Sequence, residues 1–243
     1  ILRLGENHKV QGRYHFKDMS GCAVALDAIN NSLIVAVEDK GIRIYNVAEN
    51  YAAPKLVYDI GTDGAARDVA VRDHFAFVAN GDAGLAVVDW EIPIDQVVSQ
   101  LDLGNAADAQ GIYLYGDYAY LASGDAGLKI VNIENPRQPA LVATQRVPGY
   151  IRSVYVQPAA INNVEGENRI FAFVVGGAKN KPSGLWIYDV TDPRNSRQVG
   201  VYDVSQPVLD ISVDGRIAYL LHEQLGLITL DVSDPSRPQL KWS

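Results

Sequence analysis

Gly84-Leu85-Ala86-Val87-Val88-Asp89-Trp90 and Gly127-Leu128-Lys129-Ile130-Val131-Asn132-Ile133 are two versions of one phrase: a glycine, a short apolar run, then an Asp or Asn that closes it. The phrase returns as Gly41-Ile42-Arg43-Ile44-Tyr45-Asn46-Val47, as Gly184-Leu185-Trp186-Ile187-Tyr188-Asp189-Val190 and as Gly226-Leu227-Ile228-Thr229-Leu230-Asp231-Val232. The glycines stand at 41, 84, 127, 184 and 226, so the spacings are 43, 43, 57 and 42. Self-similarity at one period is the mark of a repeat architecture.

Each period reads as four short strands. In the second copy the runs are Asp68–Val71, Phe75–Ala79 and Leu85–Val88, followed by a looser run over Val97–Leu103. They are rich in Val, Ile, Tyr and Phe and bounded by Gly, Asp, Asn and Pro, which is strand and turn chemistry. The middle runs lack in/out alternation, as expected of strands covered on both faces. Asn80-Gly81-Asp82-Ala83-Gly84 and Ser123-Gly124-Asp125-Ala126-Gly127 sit between the second and third strands, where glycine supplies the positive φ of a tight turn. Asn135-Pro136, Asp192-Pro193 and Asp234-Pro235 follow the third strands and swing the chain outward.

Repeated four-stranded units of this length read as blades of an all-β propeller, because a ring leaves no bare end face whereas a linear stack leaves two. The expected architecture is one propeller domain over residues 1–243, of five four-stranded antiparallel blades; the alternative is an incomplete six-bladed ring. Six runs suit outer strands, near Val10–Phe16, Lys55–Ile60, Val97–Leu103, Ala140–Val147, Gln198–Val204 and Gln239–Trp242, so the first and last compete for one place. Ile1-Leu2-Arg3-Leu4 resembles the tail of a further third strand. The long fourth spacing points to insertions in Gln157–Arg169 and Gly176–Ser183. Surface loops lengthen at little cost and are where binding commonly sits.

The third-strand phrases, with Arg67-Asp68-Val69-Ala70-Val71 and Tyr118-Ala119-Tyr120-Leu121-Ala122 before them, resemble the LVIVD-repeat family of β-propellers over about residues 10–243. The resemblance implies a module of bacterial or archaeal surface or secreted proteins, often beside other domains. It implies no catalytic residues.

Composition narrows the partners. The chain has 243 residues, 48% hydrophobic, with 21 basic and 29 acidic side chains for a net charge of −8. Such a balance excludes a disordered chain and argues against nucleic acid or an anionic membrane as partner. No apolar run reaches the ~20 residues of a membrane-spanning helix. The lone Cys22 leaves no disulfide framework and no four-cysteine metal site, and is expected to pack between blades. No nucleophile elbow and no phosphate loop opening a helix is present.

In a propeller the loops entering each first strand share one face, the channel mouth, with the loops between second and third strands. The residue before each first strand is in turn Cys22, Arg67, Gln110, Arg152 and Leu209. Equivalent positions lie at equivalent depth, so Arg67, Gln110 and Arg152 are expected to converge there and to grip a carboxylate or a sugar. The competing expectation is that each arginine pairs with an acidic neighbour such as Asp63, Asp68, Asp108 or Asp125 and only ties blades together. Asp108, Tyr150 and His222 complete the candidate set: Tyr150 as a stacking ring beside Arg152, His222 as a base or an ordinary surface histidine. No cofactor is expected; calcium is the alternative, although no Asp-x-Asp-x-Asp loop occurs. The functional expectation is a non-enzymatic binding module of a secreted, periplasmic or cell-surface protein, taking a protein or glycan at the mouth face or loop rim. The alternatives are an enzyme or accessory subunit acting through the mouth, and a structural spacer contacting other domains or subunits.

Overall fold

A computed structural model describes residues 2–4, 10–13, 25–29, 31–48, 54–92, 96–159, 169–178 and 180–242. A short pair comes first, β1 (Leu2–Leu4) and β2 (Val10–Arg13). Blade 1 is β3 (Ala25–Ile29), β4 (Ser32–Ala36), β5 (Ile42–Asn46) and β6 (Lys55–Ile60). Blade 2 is β7 (Asp68–Arg72), β8 (Phe75–Ala79), β9 (Leu85–Asp89) and β10 (Val97–Leu101). Blade 3 is β11 (Gly111–Tyr115), β12 (Tyr118–Ala122), β13 (Leu128–Asn132) and β14 (Ala140–Gln145). Blade 4 is β15 (Ile151–Pro158), β16 (Ile170–Gly176), β17 (Ser183–Asp189) and β18 (Arg197–Val204). Blade 5 is β19 (Val208–Asp214), β20 (Ile217–His222), β21 (Gly226–Asp231) and β22 (Gln239–Trp242).

The five blades expected from the repeats are five four-stranded antiparallel sheets, each hydrogen-bonded in chain order. First strands of consecutive blades pack side by side: β3 with β7, β7 with β11, β11 with β15, β15 with β19. In every blade the pairing of third and fourth strands carries a register shift, as between Ile130 and Val131. A bulge at that place adds right-handed twist to each sheet.

The missing alternation in the middle strands now has its cause. Phe77 and Ala79 of β8 share a buried cluster with Ala119 and Leu121 of blade 3, while Ala76 and Val78 share one with Ile34 and Ile44 of blade 1. Each fully buried aliphatic or aromatic side chain contributes about 1.5–3 kcal/mol. These strands therefore gain on both faces, and a polar residue on either would lose one of them.

Four of the five anchor glycines, all but Gly226, answer to a crowding that turn chemistry alone does not reveal. Gly84 and Gly127 have φ of +82° and +83°, and a Cβ there would lie 2.3 Å from the Leu101 carbonyl oxygen and 2.1 Å from that of Gln145. The outer strand runs against the turn, so only glycine fits.

The two ends of the chain differ from the expected closure. Gln239–Trp242 is the outer strand of blade 5, whereas Val10–Arg13 pairs with Leu2–Leu4 in a separate two-stranded sheet. Val10–Phe16 is thus not the outer strand of blade 5, because β22 already holds that edge. The face of blade 5 turned away from blade 4 leaves Tyr219, Leu221 and Leu227 37–46% exposed. The face of blade 1 turned away from blade 2, with Leu33, Val35 and Val37, which a closed ring would set against blade 5, is buried. Blade 5 therefore does not cover blade 1. Cys22 lies outside the described residues, and so does most of the Gln157–Arg169 insertion, whose 160–168 stretch is not described.

Candidate functional site

At the mouth face, neighbouring blades are stitched by isolated backbone bridges. Glu38 pairs with Ala66 between blades 1 and 2, Gly81 with Ala109 between 2 and 3, and Gly124 with Ile151 between 3 and 4. Each joins the turn after a second strand to the segment entering the next first strand, which fixes the depth of Arg67, Gln110 and Arg152 as their shared register requires.

The candidate residues gather there, but they do not share one role. Asp108 accepts from Gln110 Nε2 at 2.7 Å on one oxygen and from the Tyr150 hydroxyl at 2.6 Å on the other. The carboxylate is thus engaged on both oxygens, and Gln110 serves it. Burial, the hydrogen bond to Asp108 and the nearby Asp108 charge push the Tyr150 phenol up to about 12, against the opposing charges of Arg152 and Arg67. A Cβ on Gly124 would lie 2.9 Å from the Tyr150 ring, so the ring closes over that glycine.

The two arginines part company. Arg67 donates from Nη1 to Glu38 at 2.6 Å, across the junction from blade 1. It is a tie between blades, with Glu38 in the place expected of Asp63, Asp68, Asp108 or Asp125. Arg152 has no hydrogen bond or ion pair among the described residues. Its guanidinium lies 5.0 Å from the centroid of the Tyr150 ring, and its Nε is enclosed with no acceptor. The ring face expected to stack a ligand is therefore taken by Arg152, with Lys181 Nζ at 6.0 Å.

Between blades 4 and 5 no isolated bridge occurs among the described residues. A cavity of about 890 Å³ lies there instead, lined by Arg152, by Ala178, Asn180 and Lys181 of the long β16–β17 turn, and by the loops at Ser205–Pro207 and Glu223–Gln224. Lys181 is ion-paired with Asp125 of blade 3. The cavity was legible only as a clue: the extra residues of Gly176–Ser183 lie in the turn that lines it. Ser205, Gln206 and Gln224 carry no motif, and sequence reading missed them.

His222 is corrected. It is buried, at 2% exposure, where a surface position had been expected. Its Nδ1 accepts from the backbone N–H groups of Gln224 and Leu225 at 3.2 and 3.0 Å. The proton then belongs on Nε2, which is enclosed without a partner. The ring organises the β20–β21 turn, and its Nδ1 lone pair is not open to act as a base. Among the described residues no three His, Cys, Asp or Glu side chains are grouped to hold a metal ion, and no helix is long and apolar enough to cross a membrane.

Known proteins place the fold. The LVIVD repeat matches residues 63–90, 106–145 and 207–243, stretches that fall in blades 2, 3 and 5. A functionally unknown protein from Desulfotomaculum acetoxidans DSM 771 is similar in structure, with a TM-score of 0.69 at 14% identity over 93% of this chain and 70% of that one. The RRP9 WD40 repeats give 0.63 at 16% identity over 93% and 69%. U3-55K gives 0.61 at 18% identity over 85% of this chain, which spans 62% of that protein. Identities this low establish the propeller fold and nothing about activity. None of the curated proteins compared matches the chain.

Proposed function

We propose that this repeat β-propeller is a binding module whose ligand enters the mouth face at the blade 4–blade 5 junction. The observation that carries the reading is Arg152: a guanidinium without an acidic partner among the described residues, held on an aromatic ring, on the wall of a cavity of about 890 Å³. Ligand cavities typically run about 300–1,000 Å³ and place a few polar groups on a rigid frame. A protein or glycan suits such a rim better than nucleic acid, given the net charge of −8. The secreted or cell-surface setting rests on what the LVIVD resemblance implies.

The test is to map amide shifts of the labelled chain against a panel of monosaccharides and short peptides. Perturbations are expected around Arg152, Asn180, Gln206 and Glu223. Perturbations confined to the outer strands, or none, would contradict the reading.

A further inference from the structure

We infer that the cavity takes a hexuronic acid residue of an acidic saccharide, its carboxylate received by Arg152; this rests on the reading of the mouth as the binding face. Lys181 is paired with Asp125, which leaves Arg152 as the cation of the described lining without an ion-pair partner; Glu223 is the acid on the same wall. The contact with Tyr150 is a cation–π one that occupies no donor of the guanidinium, and its terminal N–H groups, which are not among the enclosed atoms, match a carboxylate with two parallel donors.

Glu223 selects within the anions. On the same wall it disfavours a dianionic phosphate, whereas against a monoanionic sugar it accepts hydrogen bonds from hydroxyl groups. The remaining lining favours a hydroxylated ring over a peptide. Asn180, Ser205, Gln206 and Gln224 supply amide and hydroxyl groups that both donate and accept, and the apolar lining is only Ala178 and Pro207. Arg67, at the same register in blade 2, provides the internal contrast: its Nε is enclosed without an acceptor as well, but Glu38 already holds its Nη1.

The experiment titrates the whole chain calorimetrically with glucuronate, glucose and N-acetylglutamate, using the wild type, Arg152→Gln, Arg152→Lys and Arg67→Gln, each checked by its melting curve. Glucuronate is expected to bind at least tenfold more tightly than either other probe. Arg152→Gln should abolish that preference, Arg152→Lys restore part of it, and Arg67→Gln leave it intact. Equal binding of glucose and glucuronate, or a preference that survives Arg152→Gln, overturns the carboxylate contact. If that binding is still lost when Gln206→Trp fills the cavity, the mouth reading stands without it. N-acetylglutamate binding as tightly as glucuronate overturns the saccharide in favour of an acidic peptide. No heat from any probe overturns the inference, and with no shifts at the mouth amides the underlying reading falls too.

Discussion

At the junction of blades 3 and 4, Gly124 and Ile151 exchange both backbone hydrogen bonds, each 3.1 Å, and the Tyr150 ring closes over the glycine. At the junction of blades 4 and 5 the corresponding turn is longer, no such exchange occurs among the described residues, and a cavity occupies the place. The two junctions use the same strands in the same order. What separates them is turn length: a short turn holds its backbone within reach of the next blade, and a longer one carries it away. Extra residues in a surface turn cost little closure entropy. A scaffold can therefore open one seam for a ligand while the others hold it rigid.

The sharpest way to break this contrast is to replace residues 177–183 with the turn 123–126. Mouth binding should then fall by more than tenfold in calorimetry while the melting temperature holds or rises. Persistence of binding would mean that turn length does not make the site. Next come two equivalent glycines, both left-handed, Gly81 with φ +59° and Gly124 with φ +55°. Gly81→Ala should cost about 1–2 kcal/mol in urea unfolding, chiefly from left-handed strain, with the new methyl group 3.3 Å from the Ala65 carbonyl oxygen. Gly124→Ala should exceed that by roughly 1 kcal/mol or more, because the new methyl group meets the Tyr150 ring. Equal costs would show that the ring yields freely.

Tyr150→Phe should cost about 1 kcal/mol by removing the hydroxyl that Asp108 accepts from, with Gln110 still in place. A larger loss would make the phenol, not the bridge, the main fastening. Glu38→Gln should change stability by less than about 1 kcal/mol, as half-exposed ion pairs do. It should also free Arg67 and give blade 2 a second anion-responsive guanidinium, visible as new chloride-dependent shifts in its side-chain N–H signals. The last effect is confined to alkaline pH. Tyr150 is raised from 10.0 to about 12, so the native state favours its neutral form. That contribution is complete below pH 10 and is lost as pH climbs through 12. Phenolate absorbance should show this tyrosine ionising late, in the same range as Tyr188, which burial also pushes up to about 12, and in Tyr150→Phe that late step should lose one of its phenols.

The fold was legible because a period is a long-range fact written locally. Phe75–Ala79 is a strand with the bounds its apolar run gives, and five glycine anchors yield five sheets. Register also carried the depth of Arg67 and Arg152, each the residue after a seam bridge, although Arg152 is the second residue of β15 and not, as expected, the residue before it. The partner across the seam was not legible. Glu38 lies in the preceding blade, 29 residues from Arg67, and nothing in either segment marks the pair. His222 looked like a loop residue, but β20 extends through it and draws the ring inward. The placement of Val10–Arg13 rested on which strand offered an edge, a matter of pairing that composition does not record.

The most direct measurement is a crystal structure of the whole chain soaked in sodium bromide, with the anion located by anomalous scattering. The two arginines are compared in one map. A bromide peak against the guanidinium of Arg152 in the blade 4–blade 5 cavity, with none at Arg67, is the predicted result. Bromide at both, or an Arg152 guanidinium folded onto a carboxylate with no anion beside it, would contradict the account.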